Sequence, residues 1–183
     1  IIITGTSAAI ATAVGNVDTF SGAAKASLGN AHTLDQLKTI NNAVSGQLTL
    51  TDYSVDLTGS SSDVAAALAG SFADTYTGDV SLNNAHNLTQ LKAINDATTG
   101  TITLTDYSVD LSGSTADVKA ALDGTFADTY TGNVTLGDAD DAEIAAADIS
   151  TIAGDTNGTV TVTNDIIITG TSAAIATAVG NVD

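Results

Sequence analysis

The feature that most constrains this sequence is that it repeats itself at two levels. Residues 1–18 read IIITGTSAAIATAVGNVD, and residues 166–183 read the same eighteen letters, so one long block covers residues 1–165 before the sequence begins again. Within this 165-residue period, residues 47–78 return 54 positions later as residues 101–132, with 24 of 32 positions identical. A fixed period of this kind predicts an array of small units that bury their apolar faces against one another.

Turns that end in glycine divide the chain into short and long units, which alternate. The units are residues 23–46, 47–78, 79–100, 101–132, 133–158 and 159–183. One short and one long unit form a repeat of about 55 residues, and three such repeats fill the 165-residue period. We therefore expect residues 1–183 to be one continuous solenoid and an internal portion of a longer tandem array.

Each unit opens with alternating apolar and polar residues, which predicts a half-buried strand. These runs are residues 47–51, 79–82, 101–105, 133–136 and 159–163. Short units continue into a helix whose apolar stripe follows a capping residue, Thr33 or Asn87. Long units insert a second strand, at 52–57 or 106–111, before a smaller helix. The predicted fold class is α/β, a repeat solenoid of strand-helix and strand-strand-helix coils.

Helices are wider than strands, and this difference limits how the predicted coils stack. Strands lie about 4.8 Å apart, whereas packed helices need about 8–10 Å. We expect each repeat of about 55 residues to advance two strand spacings, with its two helices on different sides. The 165-residue block then advances about 29 Å.

The charge of the chain excludes several classes of partner. It has 21 acidic residues against 4 lysines and no arginine, a formal net charge of −17. So acidic a surface repels nucleic acid and anionic membranes. The apolar stretches are also far shorter than the roughly 20 residues of a membrane span. We therefore expect no nucleic-acid partner and no membrane insertion.

No pattern in the sequence predicts catalysis. There is no cysteine, no phosphate-binding loop and no nucleophile–base pair, and repeated residues dominate every unit. His32 and His86 occupy equivalent positions before their helices. Because no cysteine or second histidine lies near either one, a repeated structural contact is favoured over a metal site. We expect the chain not to be an enzyme.

The densest acidic run, GDADDAE, contains the candidate metal ligands Asp138, Asp140, Asp141 and Glu143. Calcium prefers carboxylate oxygens of this kind. The run lacks the spacing and the glycine of an EF-hand, and acidic residues also favour a helix N-terminus through its dipole. Both interpretations stay open, and no cofactor other than calcium is predicted.

Two further sets of recurring residues have a structural and a binding interpretation. Outward threonines form TxT runs, which on flat solenoid faces can bind ice, although the β-propensity of threonine explains them without a ligand. They are Thr101, Thr103, Thr105, Thr159, Thr161 and Thr163. The aromatic residues predict either stacked ladders in the core or a sugar-binding track, and alternation, which points Tyr53 and Tyr107 inward, favours the core. The others are Tyr76, Tyr130, Phe20, Phe72 and Phe126.

In stretches such as TGNVTL and LKAINDATTGTITLTDYSVDLSGS, the chain resembles the Thr-, Asp- and Gly-rich tandem arrays of giant secreted bacterial surface proteins, in particular the cyanobacterial ones. The resemblance implies export, a cell-surface or filamentous location, and a role in adhesion, spacing or protection. We therefore expect a structural repeat segment of an extracellular filament or very long cell-surface protein, whose partners are neighbouring copies of itself. The alternative is a solenoid binding module that presents a polar Thr/Asp face to polysaccharide, mineral or ice.

Overall fold

Short strands, one or two at a time, alternate with helices of eight to ten residues in the structure, a computed structural model that describes residues 1–20 and 22–182. In chain order the elements are β1 (Ile2–Gly5), α1 (Ser7–Gly15), β2 (Lys25–Leu28), α2 (Leu34–Ala43), β3 (Leu48–Thr49), β4 (Leu57–Gly59), α3 (Ser61–Leu68), β5 (Val80–Leu82), α4 (Leu88–Ala97), β6 (Ile102–Thr103), β7 (Leu111–Gly113), α5 (Thr115–Leu122), β8 (Val134–Leu136), β9 (Glu143–Ala145), α6 (Ala146–Asp155), β10 (Val160–Val162), β11 (Ile167–Thr169) and α7 (Ser172–Gly180). All strand pairs in the described ranges are parallel, and no sheet is closed. The predicted α/β class is confirmed.

Strands pair in parallel with strands that lie one crossover earlier or later in the chain, and we call the stretch of chain between two paired residues a circuit. The sheets are β1–β2–β3, β4–β5–β6, β7–β8–β10 and β9–β11. Paired residues are 22 to 26 positions apart in the sequence. Isolated parallel β-bridges also pair Phe72 with Leu48 and Phe126 with Ile102. Parallel pairing at this offset needs a crossover between the partners, and one helix lies within each circuit to supply it.

The helices of the described residues pack in chain order, each against the next. The prediction that the two helices of a repeat lie on different sides is therefore wrong. The first five helices begin at equal intervals along the sequence, at Ser7, Leu34, Ser61, Leu88 and Thr115. Paired strand residues are fewer positions apart in the sequence than the starts of successive helices are. Each helix therefore begins farther along its circuit than the helix before it. This displacement lets neighbouring helices lie about 8–10 Å apart over strands about 4.8 Å apart.

The predicted inward residues form the core, although the strands are shorter than predicted. The run at 101–105 contributes only Ile102–Thr103 as strand, but Ile102 and Leu104 are both buried. Leu91 and Ile94 of α4 are also buried, as their helical spacing predicts. The alternation therefore predicted which side chains enter the core more accurately than it predicted strand length.

The second strand of the long units begins later than predicted. It runs over Leu57–Gly59 and not over 52–57. Asp52 accepts hydrogen bonds from the backbone N–H of Ser54 at 2.9 Å and from its hydroxyl at 2.7 Å. Such a side-chain turn bends the backbone and prevents ladder pairing there. The equivalent strand at Leu111–Gly113 shows the same shift.

Several helix ends are stabilised by side chains of the same helix or of the neighbouring helix. Thr33 and Asn87 cap their helices, as the sequence predicts, and each also forms a capping box with the glutamine three residues later. Beyond the C-terminus of α3, a methyl group at Gly70 would overlap the side chain of Asn41. Asn41 Nδ2 donates to the carbonyl of Ala66 at 2.9 Å, which satisfies an open carbonyl of that helix end.

Candidate functional surface

Outward hydroxyl groups form a short row on each three-stranded sheet, and we call these rows the hydroxyl ladders. The strand register places Ser27 between Thr4 and Thr49. The other two ladders are Thr58–Ser81–Thr103 and Ser112–Thr135–Thr161. Because neighbouring strands lie about 4.8 Å apart, each ladder spans about 10 Å. Such a row of three hydroxyls can contact an ordered polar ligand.

The predicted TxT runs do not form a wider flat array, because only the central threonine of each run belongs to a ladder. Thr103 and Thr161 are those central residues. The third threonine is engaged within the fold: Thr105 Oγ1 donates to the carbonyl of Leu82 at 2.6 Å, and the Thr163 hydroxyl makes the matching bond at 3.1 Å. The hydroxyl surface is therefore one residue wide on each strand.

Carboxylates lie beside two of the three ladders, where the strands begin. Asp56 Oδ1 accepts from the backbone N–H of Asp79 at 3.0 Å, and Asp79 Oδ1 accepts from that of Thr101 at 2.7 Å. In the next repeat, Asp110 Oδ1 accepts from the backbone N–H of Asn133 at 2.8 Å. These side chains hold consecutive strands in register and place negative charge beside the hydroxyls.

The histidines lie in buried pairs with tyrosines from the next unit. His32 Nε2 is 2.9 Å from the hydroxyl of Tyr76, which donates to the carbonyl of Val55 at 2.6 Å. His32 Nε2 must therefore be the donor to the tyrosine oxygen. His86 and Tyr130 repeat the contact at 3.0 Å. These are the repeated structural contacts that the sequence favours for both histidines.

Electrostatics keep these histidine–tyrosine pairs neutral. Burial lowers the pKa of His32, although the negative charge of Asp52 opposes the shift. Burial also raises the pKa of Tyr76, and the charges of Asp52 and Asp56 add to that rise. His32 Nδ1 is buried without a hydrogen-bond partner, so a second proton on the ring would have no acceptor. Neither member is poised to act as an acid or base near neutral pH.

The candidate calcium ligands are distributed along a turn and a strand. The Asp138 carboxylate accepts from the backbone N–H of Thr115 at 3.0 Å and from its hydroxyl at 2.5 Å, at the start of α5. Asp140 and Asp141 are exposed, and Glu143 is exposed in β9. Among the described residues, no group of three or more acidic, histidine or cysteine side chains could hold a metal ion. Calcium binding here stays a prediction.

Asp138 instead repeats a contact found at two other helix starts. The side-chain oxygens of Asn30 and Asn84 accept from the backbone N–H groups of Ser7 and Ser61, each at 2.7 Å. The sequence contained a signal for this role, because the three side chains occupy equivalent positions in successive repeats. The structural interpretation of Asp138, support of a helix N-terminus, matches this geometry.

The aromatic residues pair within a unit and do not stack on their equivalents in the next repeat. Phe72 and Tyr76 have ring centroids 5.8 Å apart, and Phe126 and Tyr130 have theirs 6.2 Å apart. Tyr76 and Tyr130 are fully buried, whereas Tyr53 is half-buried. The predicted core placement is therefore confirmed for Tyr76 and Tyr130 but only in part for Tyr53 and its equivalent in the next repeat. The predicted stacked ladder is wrong, because these ring contacts join a phenylalanine to a tyrosine of the same unit.

An open groove of about 550 Å³ lies beside α4 and α5. Asp96, Lys119 and Asp123 are among its lining residues. The ammonium group of Lys119 is 3.4 Å from the Asp123 carboxylate, and an exposed ion pair of this kind contributes little to the stability of the fold.

No family model, curated protein or solved structure matches the chain. Among the described residues, no helix has both the length and the apolar character needed to cross a bilayer.

Proposed function

We propose that the chain is a structural repeat segment of an extracellular filament or very long cell-surface protein, with a mechanical, spacing or adhesive role. In this proposal residues 1–183 form one solenoid and have no catalytic activity. The observation that carries it is the order of contacts: each helix packs on the next, and each sheet joins one circuit to the following one. Units that contact only their neighbours extend without limit by addition of further units.

The same contacts explain how such a segment would carry load and set length. Hydrogen bonds between parallel strands and the buried helix contacts both join one circuit to the next. A net charge of −17 makes neighbouring fibres repel each other and keeps them soluble. The extracellular location is supported by the resemblance of the repeats to secreted tandem arrays.

Filament length should grow linearly with the number of 165-residue blocks. Because paired strand residues are 22 to 26 positions apart, one block contains about seven strand spacings, or about 34 Å, in place of the six spacings and about 29 Å expected from the sequence alone. We expect small-angle scattering of chains with one, two and three blocks to show equal increments of about 34 Å in maximum dimension. Unequal increments, or the cross-section of separate globules, would contradict the proposal, and unfolded chains in denaturant supply the control.

The hydroxyl ladders favour a second candidate function, a binding module for polysaccharide, mineral or ice. Each ladder presents three hydroxyls, and two of the three ladders have carboxylates beside them. A ligand with a matching repeat of polar groups could bind along the ladder. This binding role needs the hydroxyl groups themselves, whereas a structural role needs only an outward polar residue that is compatible with a β-strand.

A pair of matched variants separates the two functions. Thr58→Asn/Thr103→Asn changes one ladder, and Thr75→Asn/Thr129→Asn makes the same change at exposed positions outside the ladders. For the structural role we expect both variants to retain the wild-type scattering profile and equal retention on polysaccharide or ice. A loss of about tenfold in retention by the ladder variant alone would instead support the binding module.

A further inference from the structure

The sequence contains a single asparagine that is followed directly by glycine, at Asn157–Gly158. Asparagine is a chemically labile residue, and a following glycine leaves the backbone free to bring the next nitrogen to the asparagine side chain. We propose that Asn157 is a deamidation site of this chain, and that the fold restrains the reaction until residues 157–159 open. This covalent modification lies outside the proposed function and does not rest on it.

The reaction consumes one water molecule and releases one ammonia molecule. The Gly158 nitrogen gives its proton to solvent and attacks Cγ of the Asn157 carboxamide, and the new C–N bond closes a succinimide ring. The bond between Cγ and the carboxamide nitrogen then breaks, and that nitrogen leaves as ammonia after it takes up a proton. Water opens the ring at either carbonyl, which leaves an aspartate or an isoaspartate at position 157. The sequence of steps needs no oxidant and no reductant.

The fold holds the attacking nitrogen in a hydrogen bond. The backbone N–H of Gly158 donates to Thr156 Oγ1 at 2.9 Å, and the Thr156 hydroxyl donates its own proton to the carbonyl of Gly132 at 2.8 Å. Thr156 is buried. A methyl group at Gly158 would overlap the carbonyl of Gly132, so the backbone has little room to rotate there. Attack on Cγ therefore requires the Gly158 hydrogen bond to break and the peptide group to move away from Gly132.

The backbone groups on either side of the attacking nitrogen are held as well. The backbone N–H of Asn157 donates to the carbonyl of Tyr130 at 2.8 Å. The backbone N–H of Thr159 donates to Asn133 Oδ1 at 3.0 Å. Three consecutive N–H groups, those of residues 157–159, are thus engaged in hydrogen bonds. The peptide group between Asn157 and its glycine cannot turn toward the carboxamide while these bonds are intact.

The same restraint occurs one repeat earlier, where there is no asparagine to react. Thr98 Oγ1 donates to the carbonyl of Gly78 at 2.9 Å and accepts from the backbone N–H of Gly100 at 3.0 Å. The residue between them, Thr99, is exposed, as Asn157 is. Exposure of the Asn157 side chain is therefore a property of this turn in both repeats, and the backbone hydrogen bonds supply its protection.

An isoaspartate product would keep the segment open. The isoaspartate linkage adds one methylene group to the backbone between the N–H groups of residues 157 and 158. The two N–H groups then no longer have the spacing that fits the carbonyl of Tyr130 and the hydroxyl of Thr156. Deamidation therefore marks a chain in which this segment has opened.

The first test compares the deamidation rate of the 183-residue chain in native buffer and in urea, both at mildly alkaline pH. Mass spectrometry with fragmentation locates the modified residue. We expect Asn157 to be the asparagine that reacts fastest in urea, and to react at least about tenfold more slowly in native buffer, because its hydrogen bonds must first break. Equal rates in the two conditions would overturn the proposal, as would faster deamidation of another asparagine in urea.

The second test removes the hydroxyl that holds the attacking nitrogen. We expect Thr156→Val to raise the rate at Asn157 in native buffer about tenfold. Thr98→Val is the matched control, because it removes the same two hydrogen bonds one repeat earlier and should leave the rate at Asn157 unchanged. Urea unfolding checks that the two variants lose similar stability. If Thr98→Val raises the rate as much as Thr156→Val does, general unfolding controls the reaction and the proposal is overturned.

Thr156→Ser tests the same hydrogen bond if the valine variant does not fold. Serine keeps the hydroxyl group, so we expect a native rate close to that of the wild type. A rate in the serine variant as high as that in urea, with the chain still folded by circular dichroism, would show that the hydroxyl does not restrain the reaction. The proposed function is judged separately, because the length increments of joined blocks do not depend on the chemistry of one asparagine.

Discussion

Substitution of Gly100 by alanine is expected to lower the free energy of unfolding by about 3 kcal/mol, the upper part of the range for overpacked positions. A methyl group at Gly100 would overlap the carbonyl group of Gly78, which lies one circuit earlier. That carbonyl cannot easily move, because it accepts from the Thr98 hydroxyl at 2.9 Å, and the same hydroxyl accepts from the backbone N–H of Gly100 at 3.0 Å. Urea unfolding of the variant measures the loss.

Gly154→Ala is the matched control for this prediction. Gly154 lies near the end of α6, and a methyl group there would meet nothing within 4 Å. Since alanine favours a helix over glycine by up to about 1 kcal/mol, this variant should be as stable as the wild type or more so. Gly158→Ala should resemble Gly100→Ala, because it would overlap the carbonyl of Gly132. Equal stabilities of the Gly100 and Gly154 variants would show that the close backbone approach is not rigid.

The sequence identified these glycines but not the reason for them. Gly46, Gly78, Gly100, Gly132 and Gly158 end the units, and at each a methyl group would overlap the backbone of the preceding circuit. A turn would also explain a glycine at the end of a unit. The close approach of the neighbouring backbone in the structure shows that the requirement comes from that backbone and not from a positive φ.

The arrangement of the helices could have been predicted from a signal in the sequence. The capping residues Thr6, Thr33, Ser60, Asn87 and Ser114 follow one another at equal intervals. Division of the chain at the unit-ending glycines, in contrast, gives alternating short and long units, which obscure this even spacing. Because the helix spacing differs from the strand spacing, one row of helices can fit beside strands that stack more closely.

Contacts between units were harder to predict than contacts within one. His32 and Tyr76 are far apart in the sequence, with |i−j| = 44, so no local pattern places them together. His86 and Tyr130 are separated by the same number of residues. This equal separation indicates a contact only when the positions of the units in space are known. The hydroxyl ladders depend in the same way on strand register, which alternation leaves undetermined.

Tyr76→Phe is expected to lower the free energy of unfolding by about 3 kcal/mol, although it removes a single oxygen atom. The Tyr76 hydroxyl is the hydrogen-bond partner of two buried groups, His32 Nε2 and the carbonyl of Val55. Both would lose that partner in the variant, and each unpaired buried polar group costs about 1–3 kcal/mol. Tyr130→Phe should show the same loss in urea unfolding, because its hydroxyl bonds the equivalent groups.

Tyr53→Phe makes the same chemical change at a half-buried tyrosine and is therefore the control for Tyr76→Phe. The Tyr53 hydroxyl accepts from the backbone N–H of Leu50 at 3.1 Å, and water can replace it there, so we expect a loss of about 1 kcal/mol or less. His32→Leu in the Tyr76→Phe background should recover part of the lost stability, because it removes one of the two unpaired groups. Equal losses for the two tyrosine variants, with no recovery from His32→Leu, would mean that the histidine–tyrosine pairs do not hold successive circuits together.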